Sequence, residues 1–147
     1  MIKIEYRKAV ENDIEYLLWL RKSTMQNHLA DSGISLSQEE HLLRVNYLFE
    51  QAKIIIFNGQ NIGLLKLDEK ENSLEIVQIQ IDPNYQRKGI GKKIIKSVIE
   101  DFKGSKEIFL SVLKENPAQQ LYQRMGFKVT GHNDDSFIMV FDNQTCT

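Results

Sequence analysis

The sequence has little of what constrains a small chain from outside its core: one cysteine, two prolines and eight glycines in 147 residues. The lone Cys146, next to the last residue, forms no internal disulfide and reads as an inert thiol. No apolar run of about eighteen residues exists to cross a membrane. The opening MIKIEYRKAVEND carries no apolar segment suited to a signal peptide. His28, His41 and His132 lack metal-ligand spacing and have no cysteine partners, so no metal is expected. A serine–histidine–aspartate triad stays open on spacing alone, but no GxSxG context accompanies it. An excess of one charge is missing too. Nineteen Lys plus Arg stand against twenty Asp plus Glu, a net charge of -1, which argues against a general nucleic-acid surface but not against a local basic site. These absences lead to the expectation of a cytoplasmic protein with no nucleic-acid or membrane partner.

What is there suffices for a core. A chain of this length is expected to form one domain over residues 1–147, folding without disulfide or metal. Ile2, Ile4 and Tyr6 alternate with charged residues and predict a strand over 2–7. From Asn12 to about Ala30 the spacing of Ile14, Leu17, Leu18 and Met25 predicts a helix, capped by Asn12 or Asp13 and stopped at Asp31-Ser32-Gly33. Ser35 or Ser37 caps a second helix with Glu39 or Glu40 in its first turn and a stripe of Leu42, Val45, Leu48 and Phe49. The run IIIF at 54–57, the turn NGQN at 58–61 and a strand through Leu67 make a hairpin. A turn at 70–72 then leads to a third strand, LEIVQIQI, at 74–81.

That strand changes phase. Leu74 and Ile76 alternate on one register, and Val77, Ile79 and Ile81 on the other. Either both faces are buried or a bulge lies near Ile76-Val77. Asp82-Pro83 ends it. A helix through about Phe102 follows, with Ile90, Ile94, Val98 and Phe102 on one face, Ile95 and Ile99 widening it, and Gly104 as the stop. Then come a strand at 107–112 and a short helix from Asn116 (N-cap) and Pro117 to about Met125, ended by Gly126. A hairpin of 127–131 and 136–141 closes the chain. The order β-α-α-β-β-β-α-β-α-β-β describes an α/β fold with a mixed sheet.

The loop Gln86-Arg87-Lys88-Gly89-Ile90-Gly91 joins a strand to a helix, where unpaired backbone N–H groups and the helix dipole favour an anion. Lys88, Lys92 and Lys93 crowd this helix start while Glu100 and Asp101 sit near its end, the reverse of the usual preference. A bound anion would turn that penalty into a gain. The loop fits neither GxxxxGK[ST] nor GxGxxG, since position 94 is Ile94.

The segment IQIDPNYQRKGIG resembles the signature loop of the GNAT family of N-acetyltransferases, Q/R-x-x-G-x-G/A. The segment NPAQQLYQRMGF is similar to a second motif of that family, N-x-x-A-x-x-L-Y-x-x-x-G-F, with the alanine shifted by one residue. The resemblance implies the GNAT fold, a mostly antiparallel mixed sheet flanked by about four helices, with a central strand that bulges and splays from 107–112. It implies acetyl-CoA as acyl donor, with Gln86, Arg87, Lys88, Gly89, Ile90, Gly91 and Lys92 at the pyrophosphate. It further implies Ile79 and Ile81 along the pantetheine through their backbone, and Asn116 at the cofactor as well as at its helix cap. Tyr122 matches the family's acid position, and a tyrosine with a pKa of about 10 stays protonated at neutral pH.

The reaction implied is direct attack of a primary amine on the thioester, with a backbone N–H, at Ile81, for the developing oxyanion. An amine of pKa about 10.4 is almost wholly protonated at neutral pH, so a base or a lowered pKa is required. Glu75, just before the phase break, is the first candidate, directly or through water, although a solvated strand carboxylate fits equally well. Gln78 and Gln80 can position water but cannot act as bases. Acceptor specificity is expected in the first two helices and their connection, where Arg21, His28, Glu39, Glu40 and His41 are polar candidates. Trp19 reads as packed or as lining the acceptor pocket. Acetylation of a small amine or a peptide amine leads. Protein or N-terminal acetylation and a non-catalytic acetyl-CoA sensor remain alternatives. The final hairpin offers an edge through which two copies could pair as a homodimer.

Overall fold

The long apolar runs of the first hairpin are explained by a sheet covered on both faces. The computed structural model describes residues 3–31 and 37–142, the side chains of 25–31 excepted. Expectations resting on the side chains of Met25 and His28, on the Ser32-Gly33 stop, on Ser35 and on Cys146 lie outside the described residues. In chain order the elements are β1 (Ile4–Lys8), α1 (Ile14–Asp31), α2 (Gln38–Asn46), β2 (Ala52–Phe57), β3 (Gln60–Glu69), β4 (Ser73–Ile81), α3 (Ile90–Phe102), β5 (Glu107–Leu113), α4 (Ala118–Arg124), β6 (Phe127–His132) and β7 (Ser136–Phe141). This is the expected order. The strands form one sheet, β1-β2-β3-β4-β5-β7-β6. All neighbours run antiparallel except β4 and β5.

Alternate residues of β2 and β3 feed two cores. Ile54 and Leu64 join Leu17, Leu20 and Val45 on the α1–α2 face. Ile55 and Leu65 join the α3 residues Ile90, Ile94, Ile95, Val98 and Ile99 on the other. Burying both phases is what makes IIIF and LLKL continuous rather than alternating. The β2–β3 turn puts Asn58 (φ 50°) and Gly59 (φ 82°) in the left-handed region, as a two-residue hairpin of this twist requires. Gly63 is forced by close approach instead. A Cβ there would stand 2.3 Å from the Gln80 carbonyl oxygen.

The phase break in β4 is a bulge. Lys66 of β3 faces Gln78 while Leu67 faces Ile76, so Val77 has no partner. The extra residue lets Leu74, Ile76, Ile79 and Ile81 all meet the α3 core. A strict period of two would have put the last two on the opposite face.

Several local expectations change. Asp13 does not cap α1. Its carboxylate takes the Val10 N–H at 2.8 Å and pairs with both Arg7 terminal nitrogens at 2.8 Å, tying the helix entry to β1. Ser37 does cap α2, with Glu40 completing a reciprocal box at 3.2 Å each way. The predicted α2 stripe is wrong in part. Leu48 and Phe49 lie beyond the helix, Leu42 is exposed, and the buried inward positions are His41 and Val45. Helix α4 starts at Ala118 with Pro117 at the cap position, although Asn116 Oδ1 still accepts the Ala118 N–H at 2.9 Å. Trp19 is not packed in the core. It is 47% exposed and stacks on Tyr16.

Candidate active site

The site begins where two parallel strands part. β4 and β5 pair only from Ser73↔Glu107 to Ile76↔Leu110. Beyond Ile76 the bulge redirects β4, which keeps β3 as its neighbour and leaves its other edge open. The Asp82 N–H donates to the Ile62 carbonyl at 2.7 Å. By the two-residue alternation of an antiparallel pair, the Ile79 and Ile81 amides therefore face the gap. Gln86 donates its side-chain N–H to the Ile81 carbonyl at 2.9 Å and folds the following loop against the strand end.

That loop presents its own row of amides. Arg87 (φ 63°) and Gly89 (φ 78°) adopt the left-handed conformation, which is strained for Arg87 and free for Gly89. The N–H groups of Ile90, Gly91 and Lys92 stand in the first turn of α3 and have no acceptor within the helix. The first link into α3 is Lys93 N–H to the Gly89 carbonyl at 3.1 Å. Helix α3 has no acidic residue in its first turn. Arg87, Lys88, Lys92 and Lys93 are exposed, and among the described residues none is within 4.0 Å of a carboxylate. At Gly91 a Cβ would make only ordinary contact with Ile81, at 3.9 Å, so the chain's own packing does not demand glycine there. These groups fit a ligand with a pyrophosphate at the helix start and an extended amide chain along the open edge of β4.

A cleft of about 840 Å³ opens between the parted strands and the α1–α2 wall. Its lining brings together the predicted Glu75, Ile79, Asn116 and Tyr122, with Arg21 and Glu40 from the first two helices. Ile81 and the 86–92 loop lie outside that lining, as do Glu39, His41 and Trp19. Tyr122 sits on α4, held edge-to-face against Phe127 with centroids 6.0 Å apart. It is only 9% exposed, and burial pushes its hydroxyl up to about 12. It stays protonated across the physiological range. Glu75 is half-buried and pairs across the sheet with Asp68. Burial, then the Asp68 charge, raises its carboxyl above the ordinary 4.5.

On the α1–α2 wall of the cleft the sequence pointed to Arg21 and Glu40 but not to two further residues. Arg44 and Tyr47 line it, with the Arg44 guanidinium 5.6 Å from the Tyr47 ring centroid. Lys66, in the middle of β3, is wholly buried and donates to the carbonyls of Arg44 (3.3 Å), Val45 (3.2 Å) and Tyr47 (2.5 Å) at the end of α2. The signal was present as a lone lysine inside LLKL. The side-chain nitrogen of Gln78 and oxygen of Gln80 are buried without a partner, and both residues line the cleft. Among the described residues no cluster of His, Cys, Asp or Glu could hold a metal ion. No helix there is long and apolar enough to cross a membrane.

Comparison with known proteins agrees with this geometry. The family model described as the acetyltransferase (GNAT) domain matches residues 47–129, and the chain belongs to that family. The spermine/spermidine N(1)-acetyltransferase of Bacillus subtilis (strain 168) is 38% identical over 71 residues, covering 46% of this chain and 47% of that protein. The chain thus matches about half the length of such curated relatives. Among solved structures, the PaiA N-acetyltransferase of Thermoplasma acidophilum in complex with coenzyme A superposes with a TM-score of 0.70 at 24% identity, covering 95% of this chain and 99% of that one. A protein of Pyrococcus horikoshii OT3 gives a TM-score of 0.77 at 20% identity, covering 97% and 99%. At those identities the likeness is one of fold.

Proposed function

We propose that this protein is an N-acetyltransferase that moves an acetyl group from acetyl-CoA to a primary amine of a small molecule or peptide. The observation that carries this reading is the parting of β4 from β5 after Ile76. It aims the Ile79 and Ile81 amides into a gap whose inner cleft is lined by Tyr122 and Glu75. The coenzyme A in the Thermoplasma neighbour supports the same donor.

In this reading the amides from Arg87 to Lys92 hold the pyrophosphate, and Lys88 and Lys92 add charge. Gln86 keeps the loop in place through the Ile81 carbonyl. Ile79 and Ile81 align the pantetheine arm, and Asn116 orients the α4 end beside it by accepting the Ala118 N–H. The bound thioester supplies an electrophilic acetyl carbonyl and a thiol leaving group. An amide on the open edge of β4 donates to the carbonyl oxygen as charge develops there. Glu75 takes the proton that keeps the amine from attacking, directly or through a water at Gln78 and Gln80. Its burial-raised pKa moves it toward the range a base needs. Tyr122 donates its hydroxyl proton, or a hydrogen bond, to the departing sulfur.

The test is thiol release from acetyl-CoA with a panel of amines, polyamines, amino acids and peptides, alongside direct binding of acetyl-CoA. Turnover on at least one amine is expected. Tight binding with no turnover on any acceptor would replace the enzyme by a cofactor sensor.

A further inference from the structure

The wall opposite the donor edge holds an arginine that the fold does not neutralise. Arg21 lies on the inner face of α1, lines the cleft and is only 5% exposed. Arginines are rarely so buried unless paired with an anion. Here Nε donates to His41 Nδ1 at 3.2 Å. An accepting Nδ1 requires neutral His41, and burial followed by the Arg21 charge holds its pKa below 6.5. The imidazole therefore orients the guanidinium without cancelling its charge.

A second arginine makes the imbalance larger. Arg44 lines the same cleft, and among the described residues neither arginine has a carboxylate within 4.0 Å. Burial, then the nearby Arg44, lowers Arg21 to about 10, which leaves it charged at neutral pH. Buried Lys66 adds a third positive charge on this face, answered by the α2 carbonyls rather than by an anion. The Arg44 charge reaches the Glu75 carboxyl and partly offsets its rise. Among the described residues no carboxylate acts on Arg21 in this way, and the cleft's other carboxylates are differently placed. Glu40 closes the capping box of α2 and is exposed. Asp134 and Asp135 are exposed in the β6–β7 turn. Exposed carboxylates stay solvated without a partner, whereas buried Arg21 is left without its counter-ion.

We propose that the acceptor is an amine that also bears a carboxylate, with Arg21 and Arg44 receiving the carboxylate while the amine lies toward Glu75. This rests on the amine-acetyltransferase reading and narrows its substrate class. A guanidinium fork suits a carboxylate in two parallel hydrogen bonds. A polyamine offers only positive charge to this wall. The likeness to a polyamine acetyltransferase does not decide the matter, because it covers only 46% of this chain and 47% of that protein.

Matched acceptors separate the two substrate classes. L-lysine against cadaverine and L-ornithine against putrescine differ only by the carboxylate, and spermidine completes the set. With the full chain and acetyl-CoA, the carboxylate-bearing member of each pair is expected to have a kcat/KM higher by about tenfold or more. Arg21→Gln and the exposed-site variant Arg44→Gln should each collapse that ratio toward one. The second keeps the test sharp if the first fails to fold. Preference for the diamines or spermidine, or a ratio that survives Arg44→Gln, would overturn the proposal while leaving the transferase reading intact. If no acceptor turns over, calorimetric titration of L-lysine and cadaverine into the chain still decides. Carboxylate-dependent binding weakened by Arg44→Gln supports the anion site, and equal or absent binding refutes it.

Discussion

Lys66 gives a prediction whose size follows from the structure. Its ammonium is wholly buried beneath the α2 end, and burial, then the charges of Arg44 and Arg21, lower it from 10.5 to about 8. The folded state holds this proton less tightly than the unfolded chain. Lys66 therefore gives its full stabilising contribution above about pH 10.5. That contribution falls as pH drops toward 8 and is gone below it. At about 1.4 kcal/mol per pKa unit, the whole effect is on the order of 3 kcal/mol. Between pH 7 and pH 10 most of it, on the order of 2 kcal/mol, should appear as a gain in stability. Urea unfolding followed by circular dichroism at both pH values, on the natural chain and on Lys66→Met, isolates it. Tyr6, Tyr16 and Tyr122, all raised by burial, pull the other way at high pH, but they are common to both proteins and cancel in the difference. Parallel pH dependences would refute the depressed pKa. The same substitution removes three hydrogen bonds to the α2 end that carries Arg44 and Tyr47. It should therefore raise the acceptor KM more than it weakens acetyl-CoA binding.

Three further outcomes are expected. Tyr122→Phe should cut turnover by about 10²–10⁴-fold with acetyl-CoA still bound, as measured by thiol release and calorimetry; undiminished turnover would remove the tyrosine from the chemistry. Glu75→Gln should lose activity together with the acidic limb of the pH–rate profile. In the natural chain that limb is expected above the ordinary 4.5 because burial raises this carboxyl, and its persistence in the variant would exclude Glu75 as the base. Gly63→Ala sets a Cβ 2.3 Å from the Gln80 carbonyl oxygen, a backbone atom that cannot swing away. It should lower unfolding stability by about 1–3 kcal/mol, and a neutral result in urea would contradict the β3–β4 register.

The donor half was legible because its signals are local. A glycine loop, a reversed charge gradient along α3, an Asn-Pro helix start and a broken alternation in β4 each occupy a few consecutive residues. Periodicity alone left the phase break undecided between a doubly buried strand and a bulge. The pairing of Leu67 with Ile76 and Lys66 with Gln78 settles it. The helix caps were legible where one side chain serves one amide, as at Ser37. They failed where a competing partner outside the helix took the side chain, as Arg7 of β1 takes Asp13.

The acceptor half was less legible for a physical reason. Arg21 appeared among several polar candidates, but nothing in its neighbourhood distinguishes it from a surface arginine. Its meaning comes from contact with His41, twenty residues away, and from a burial that only the packing of α1 on the sheet creates. Lys66 gains its role from carbonyls nineteen to twenty-two residues earlier. A net charge of -1 conceals both this wall and the basic start of α3, because a sum carries no positions. Placed in the fold, the positive charges fall into two groups with different accessibility. Those at the loop are exposed, suited to a phosphate that arrives with its own solvent and leaves again. Arg21 is enclosed, so it interacts strongly with whatever enters the cleft and discriminates by sign. A substrate that brings a carboxylate to Arg21 relieves the cost of burying that arginine. One that brings only ammonium groups increases it, and the cleft should therefore select its acceptor by charge before any fit of shape.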